Sequence, residues 1–181
     1  MGGLLFIALM FVSFAIANCF VEAGKYYGIN PYVLYAIAKT ESGLNPYAVE
    51  VISKRKIPLN CPYRGINGRY YYSCFPDSYD EALKIVKVAK RYGANFSIGL
   101  MQINRVWLKK IYKYGYSIEN LFDRCNSIII GAWILSQCIS EFGNSWRAID
   151  CYNKGKAGAK NWSSYTKTVC RYLYGREKCL Y

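Results

Sequence analysis

The chain has 181 residues, of which 53% are apolar and 19% are charged. This length suits one domain with a packed core and is short for two, and the composition excludes a disordered chain. The net charge of +13 favours a polyanionic partner. Nucleic acid is not expected, because the lysines are scattered and no recognition motif is present. Cell-wall polymers and anionic membrane surfaces remain as partners of the right sign.

Residues 1–17 are predicted to be a signal peptide. Leu4–Ile16 is an almost uninterrupted apolar run, too short for a comfortable membrane span, and it leads into a small-x-small pattern. The missing basic residue before the run leaves a retained N-terminal anchor as the alternative, whereas Asn18 disfavours a lipoprotein modified at Cys19. We therefore expect residues 18–181 to be exported to the periplasm or cell envelope as one catalytic domain.

All eight cysteines follow the predicted signal peptide. An even number in an exported chain predicts disulfide bonds. Zinc binding is not expected, because the chain has no histidine and no Cys-x-x-Cys spacing. We therefore predict no metal site. Proximity in sequence pairs Cys61 with Cys74 and Cys170 with Cys179. The pairing stays open for the other four, which are Cys19, Cys125, Cys138 and Cys151.

The first well-defined helix is predicted to begin at Asn30-Pro31, where a capping side chain precedes a proline in the first turn. It should end at Gly43. Residues 47–76 are rich in proline and glycine and are predicted to be a loop, with a short hairpin at the Asn67-Gly68 turn signal.

Capping patterns and apolar periodicity predict further helices in the second half of the chain. Ser78 and Glu81 form a capping box for a helix over residues 79–92. The other predicted helices are 100–114, the apolar and buried 126–142, a short one from 144 or 145 to 152, and a last one capped by Asn161. The sequence thus predicts a mainly α, single helical domain with a disulfide-containing loop or short hairpin insertion.

Glu41 breaks two local rules of helix design. It continues the apolar stripe formed by Leu34, Ile37 and Ala38, which should face the core. It also lies in the last helical turn, where the helix dipole disfavours negative charge. Partial burial would raise the pKa of this carboxyl and allow it to donate a proton near neutral pH. On the stripe alone, a glutamate that reaches solvent is the more usual account.

Three sequence blocks, the first of which contains Glu41, favour a functional role for this residue. The blocks Thr40–Pro46, Ser97–Asn104 and Ala148–Gly155, in this order, resemble the lytic transglycosylases of the goose-type lysozyme-like superfamily. The likeness is greatest to the small members associated with type III and type IV secretion, conjugation and pilus systems. It covers Cys19–Tyr174, and it implies a lysozyme-like α+β fold and a murein-cleaving lyase.

The resemblance also implies the site residues. Glu41 matches the catalytic acid, and the hydroxyl of Tyr152 would orient its carboxyl group. The other residues implied to bind substrate are Ser42, Ser97, Gly99, Met101, Gln102 and Asn153. Each has a structural alternative: Met101 as core, Gln102 as a capping or solvent-facing group, and Tyr152 as a buried hydroxyl bonded to backbone.

The resemblance extends to the cysteines. It implies a disulfide between Cys19 and Cys125, as in the small secretion-associated members. Cys151 stands where alanine is commoner, and a bridge to Cys138 is one consequence. The segment between Asn45 and Ser97 is longer than in many small members, so the resemblance does not define that wall of the groove.

The implied reaction needs one carboxyl group. Glu41 would protonate the oxygen that leaves from N-acetylmuramic acid toward N-acetylglucosamine, and then take the proton of the C6 hydroxyl, giving a 1,6-anhydro end without water. The first alternative is a lysozyme-type hydrolase with the same acid, in which a carboxylate such as Glu50 holds the water. The others are a non-catalytic wall-binding assembly protein and a cationic, membrane-active protein.

The expected partners follow from this reaction. Peptidoglycan glycan strands are the substrate, a secretion, pilus or conjugation apparatus is a candidate partner, and we expect a monomer. No cofactor is expected, because the chain shows no phosphate-binding glycine loop, and without histidine it lacks a Ser-His-Asp base.

Overall fold

The computed structural model describes residues 17–179, so the predicted signal peptide lies outside the described residues except for its last position. Residues 17–27 form helix α1. The later helices are α2 (Pro31–Ser42), α3 (Tyr79–Arg91), α4 (Leu108–Ile111), α5 (Arg124–Phe142), α6 (Trp146–Lys154) and α7 (Ser164–Tyr174). The strands are β1 (Val49–Ser53), β2 (Tyr63–Ile66), β3 (Arg69–Cys74), β4 (Asn95–Ile98) and β5 (Ile103–Asn104). Helices dominate beside one small sheet, which confirms the predicted lysozyme-like α+β class.

The ends of α2 are set by local capping, as predicted. The Oδ1 atom of Asn30 accepts a hydrogen bond of 2.9 Å from the backbone N–H of Tyr32, which satisfies one of the free donors in the first turn. The helix ends at Ser42, and Gly43 follows with φ +64°. A left-handed glycine here is the usual helix stop.

Half of the predicted capping box forms at α3. The Ser78 hydroxyl accepts from the backbone N–H of Glu81 at 3.4 Å. The Glu81 carboxylate, however, accepts from the N–H of Asp77 at 3.3 Å and not from that of Ser78. The Glu81 side chain therefore bonds the residue before the N-cap, whereas a capping box would have it bond the N-cap residue itself.

Two predicted helices were wrong in their boundaries. The continuous helix over 100–114 is instead a turn, strand β5, a 3-10 turn, the short α4 and a second 3-10 turn. Gln102 has φ +47°, which a right-handed helix cannot contain. The last helix is capped by Ser163, which forms a capping box with Thr166. Asn161 does not cap it, because the helix begins at Ser164, two residues later than a cap at Asn161 would imply.

The segment 47–76 is the predicted disulfide-containing insertion. Half of it is loop and half forms strands β1, β2 and β3, of which β1 was not predicted. Its hairpin is confirmed, because β2 and β3 are joined at Asn67 and Gly68 with φ values of +49° and +70°, as a type I′ turn requires. The antiparallel sheet has the order β2-β3-β1-β4-β5. Strand β1 lies in its centre with alternating burial.

Both sequence-local disulfides are confirmed, and so is the one suggested for Cys151. The Cα–Cα distances are 5.2 Å for Cys61–Cys74, 5.9 Å for Cys138–Cys151 and 5.8 Å for Cys170–Cys179. Cys138 and Cys151 join α5 to α6 within a small apolar cluster around Ala148. Cys19 and Cys125 are also disulfide-bonded, and the described chain contains no free cysteine.

The chain forms two compact units. One runs from Glu41 to Ser127 and contains the sheet, α3 and α4. Its largest buried side chains are Tyr72, Phe96, Ile98, Leu100, Met101, Ile103, Ile111 and Leu121. The other comprises the segments before and after it, and buries Leu34, Ile37, Ile128 and Leu135. Helix α5 is long and apolar enough to cross a membrane, but the buried core helix of a soluble protein can have the same length and composition. Of the most apolar 18 residues of α5, 44% are buried inside the protein.

Asp150 of α6 is a fully buried carboxylate that fixes the loop after its helix. Its oxygens accept hydrogen bonds from the Lys160 N–H at 2.8 Å, the Ser163 hydroxyl at 2.5 Å and the Lys154 ammonium at 3.1 Å. Burial alone would raise the pKa of Asp150. The bonds from Ser163, Lys160 and Lys154 outweigh burial and lower it.

Substitution of Asp150 with asparagine is expected to lower the free energy of unfolding by about 1–3 kcal/mol at neutral pH, because an amide cannot accept from all three donors. Since the folded pKa is depressed, the wild-type contribution is present above the unfolded pKa of about 3.9 and is lost as pH falls through the folded pKa. Urea unfolding at neutral and acidic pH tests this. A gap between wild type and D150N that stays constant in acid would contradict it.

Candidate active site

The Glu41 carboxyl group lies in the last turn of α2 and is half-buried. It opens onto a pocket of about 130 Å³. The lining residues are Glu41, Ala48, Val49, Glu50, Ser73, Cys74, Phe75 and Gln102. A larger cavity of about 340 Å³ in the other unit has no acidic residue in its lining. Another cavity, of about 520 Å³, is lined by Glu81, but that residue is exposed. The pocket with the two half-buried glutamates Glu41 and Glu50 is therefore the candidate for acid–base chemistry.

Ser42 anchors the end of α2 to the second sequence block. Its hydroxyl donates a hydrogen bond of 2.7 Å to the backbone carbonyl of Leu100, and the side chain is only 4% exposed. The bond is made by the residue next to Glu41 in the chain, so it restricts where the Glu41 side chain can lie.

Substitution of Ser42 with alanine is expected to cost about 1–3 kcal/mol of stability, because the buried Leu100 carbonyl loses its side-chain donor. Release of glycan should fall as well, since the helix end that carries Glu41 loses its tether. Thermal unfolding and a turnover assay on the same preparations check both effects. Unchanged stability together with unchanged turnover would show that the hydrogen bond is dispensable.

The second block is a tight turn held by backbone hydrogen bonds. Gly99 has φ +79°, and its N–H donates to the Ala48 carbonyl at 2.9 Å. A Cβ atom at this position would stand 2.2 Å from the carbonyl oxygen of Leu121. The N–H of Met101 donates to the fully buried hydroxyl of Ser127 at 3.0 Å. Only glycine fits at the start of this turn.

Gln102 closes the turn and faces the Glu41 pocket. It is one of three non-glycine residues with positive φ in the described chain. Its amide nitrogen donates to the carbonyls of Ala48 and Gly99, both at 2.9 Å. These two bonds fix the side chain, and its Oε1 atom remains as an acceptor. Strained, fixed residues of this kind cluster at functional sites.

The structure places the remaining predicted residues in different settings. Ser97 of β4 is half-buried, and its hydroxyl accepts from the Asn104 side chain at 3.0 Å. Met101 is fully buried, so contact with substrate would require this side chain to move, and its position favours packing. Tyr152 is half-buried and Asn153 exposed in the last turn of α6, in the other unit. Their action on substrate stays a prediction.

Glu50 is the pocket residue that sequence reasoning undervalued. The sequence indicated Glu50 only as an example of a carboxylate that could hold water in a hydrolase. In the structure it lines the same pocket as Glu41. Burial raises the pKa of Glu50, and the charge of Arg64 opposes that rise. The signal available in the sequence was weak, because the position of Glu50 depends on the register of β1 in the sheet.

A half-buried glutamate at a helix end, lining a pocket of a lysozyme-like α+β fold, is the arrangement expected of a glycan-cleaving enzyme of the lysozyme-like class. Comparison with known families is more specific, because the transglycosylase SLT domain matches residues 18–174. The chain belongs to this family and is a lytic transglycosylase that acts on peptidoglycan.

Two of three individual relatives cover most of the chain, and the third covers less than half of it. "Invasion protein IagB" of Salmonella typhimurium is 30% identical over 170 residues, covering 88% of this chain and 82% of that protein. "Protein IpgF" of Shigella flexneri is 29% identical over 162 residues, covering 88% and 81%. "Type IV secretion system protein virB1" of Brucella abortus is 34% identical over 89 residues, covering 44% and 36%. The resemblance to small secretion-associated members is thereby confirmed.

Proposed function

We propose that the chain cleaves the β-1,4 bond between N-acetylmuramic acid and N-acetylglucosamine and leaves a 1,6-anhydro-muramic end. The observation that carries the proposal is the pocket in which Glu41 and Gln102, from two of the three family blocks, lie together. In this pocket a half-buried carboxyl group stands beside a fixed amide.

Glu41 acts twice in the proposed reaction. Its carboxyl proton passes to the bridging oxygen as the bond from that oxygen to C1 of the muramic ring breaks. The resulting carboxylate then takes the proton of the C6 hydroxyl as this oxygen bonds to C1. The proton count on Glu41 is restored without water, so one group serves as acid and base. The free Oε1 atom of Gln102 is positioned to accept from a sugar hydroxyl or N–H group.

The charge of the chain supports action at the cell wall. The 24 basic residues outnumber the 11 acidic ones, and within the described residues only Lys154 and Lys156 form salt bridges. The other cations of this part of the chain have no carboxylate paired with them, so their charge can attract anionic wall polymers, an attraction that salt screens. We propose Tyr152 and Asn153 as further substrate contacts, on the family block alone.

The setting is proposed from the N-terminal sequence and the relatives. Residues 1–17 serve as a signal peptide, and residues 18–181 act in the periplasm or cell envelope as a monomer. Relatives named for invasion and for type IV secretion support a secretion, pilus or conjugation apparatus as partner. The mass of the exported protein tests the cleavage site, since a mature chain should begin at Asn18.

A count of sugar ends tests the reaction. An anhydro ring has no free hemiacetal, so a transglycosylase should dissolve isolated peptidoglycan while new reducing ends stay far fewer than new cuts. A hydrolase creates one reducing end for each cut. Equal numbers of cuts and new reducing ends would show that the reaction is hydrolysis. If no glycan dissolves, the proposal that the chain cleaves glycan is contradicted.

A further inference from the structure

Glu50 shares the face of the sheet that borders the Glu41 pocket with other polar side chains. It lies in β1 between two buried valines, so its side chain points to the opposite face of the sheet. The antiparallel register places Ser73 of β3 and Ser97 of β4 directly beside it. Asn104 of β5 continues the line, paired with Ser97. We call Ser73, Glu50, Ser97 and Asn104 the polar row.

Among the described residues, the Glu50 carboxylate interacts with the protein only through the more distant charge of Arg64. Within residues 17–179 no hydrogen bond or salt bridge engages it, although it is half-buried and two of its neighbours are serines. An ionised carboxylate offers about four acceptor positions, and partly buried ones must be satisfied. The adjoining pocket of about 130 Å³ is large enough for several water molecules and has polar groups in its lining, so it is a place where hydrogen-bond donors can be supplied.

The same pocket is lined by Glu41, the proposed acid. We propose that Glu50 binds and deprotonates a water molecule that competes with the C6 hydroxyl for C1, so that a fraction of the cuts is hydrolytic. The proposal rests on the proposed function of Glu41. It makes Glu50 the residue that sets the ratio of hydrated to anhydro ends.

The hydrolytic branch balances in atoms and protons. Glu41 gives its proton to the bridging oxygen as the C1–O bond breaks. The water oxygen bonds to C1, and the proton that it loses goes to the Glu50 carboxylate. Glu50 then releases that proton to solvent, from which Glu41 is protonated again. Oxidation states do not change, and water is the only co-reactant.

Digestion of peptidoglycan in heavy-oxygen water tests the proposal, because a hydrolytic end gains one labelled oxygen and an anhydro end gains none. We expect labelled muramic ends with the wild type and at least about tenfold fewer with Glu50→Gln. The quantity compared is the labelled fraction of all new muramic ends, which a general loss of turnover would leave unchanged. Glu22→Gln, which changes an exposed glutamate of α1, should keep the wild-type ratio.

Three results would overturn the proposal: no label in wild-type products, an unchanged labelled fraction in Glu50→Gln, or an equal loss in Glu22→Gln. If Glu50→Gln does not fold, Glu50→Asp decides, because it keeps the charge but withdraws it from the water and should also lose label. If no cleavage depends on Glu41, the proposed function is itself contradicted, and the Glu50 proposal, which rests on it, fails as well.

Discussion

Replacement of Glu41 with glutamine is expected to lower the rate of glycan cleavage by about 10²–10⁴-fold. Glutamine has nearly the same shape as glutamic acid but can neither give up the required proton nor accept one from the C6 hydroxyl. The proposed reaction uses this carboxyl in both steps, so the loss should affect both. The rate of release of soluble glycan, at saturating enzyme, measures the loss.

The control for this variant separates chemistry from folding. Glu22→Gln makes the same chemical change on the exposed surface of α1 and should retain wild-type turnover. Both variants should unfold at the wild-type temperature, since Glu41 is only half-buried and glutamine preserves its volume. If Glu41→Gln retains more than about a tenth of wild-type turnover, Glu41 is not the acid.

Gly99→Ala should be the most destabilising single change near the site. A left-handed alanine costs about 1–2 kcal/mol by itself. Here the new methyl group would also stand 2.2 Å from the Leu121 carbonyl oxygen, so the backbone must move. The expected total is about 3 kcal/mol or more, measured by denaturant unfolding. Turnover should fall too, because the displaced turn carries Gln102 into the pocket.

Gly115 offers a matched control for Gly99. It has φ +81°, against +79° at Gly99, but a Cβ atom there would meet nothing within 4 Å. Gly115→Ala should therefore show the conformational cost alone, about 1–2 kcal/mol. Equal losses for the two variants would show that the close approach to Leu121 does not matter.

The helices could be predicted where their signals are local. Asn30, Ser78 and Ser145 each cap a helix through a bond to a residue two or three positions away, and such a bond can be inferred from spacing. The helix proposed for 100–114 was wrong because the left-handed conformation of Gln102 leaves no mark in the sequence. Its cause is the tertiary hydrogen bonds to Ala48 and Gly99.

Most of the sheet could not be predicted, because its pairing is not local. The turn at Asn67-Gly68 carries its own signal, and the hairpin around it was expected. Strand β1 pairs with β3 and β4, which follow it by some twenty and forty positions. Prolines and glycines in the same stretch favoured a loop, and tertiary pairing outweighed that local preference.

The candidate site was predictable to the extent that it violates local rules. Glu41 could be identified because it continues the apolar stripe of its helix and lies in the C-terminal turn, where the helix dipole disfavours a negative charge. Glu50 violates no such rule, since a charged residue between two valines is ordinary strand alternation. Its place in the Glu41 pocket follows from the register of β1, which becomes clear only once the sheet is formed.

The masses of the muropeptides released from isolated peptidoglycan, by the wild type beside Glu41→Gln, test the central claim most directly. The account predicts that the wild type releases mainly products lighter by one water than their hydrolytic counterparts. Glu41→Gln should release almost none. Products that are all hydrated, or anhydro products that persist in Glu41→Gln, would contradict the role given to Glu41.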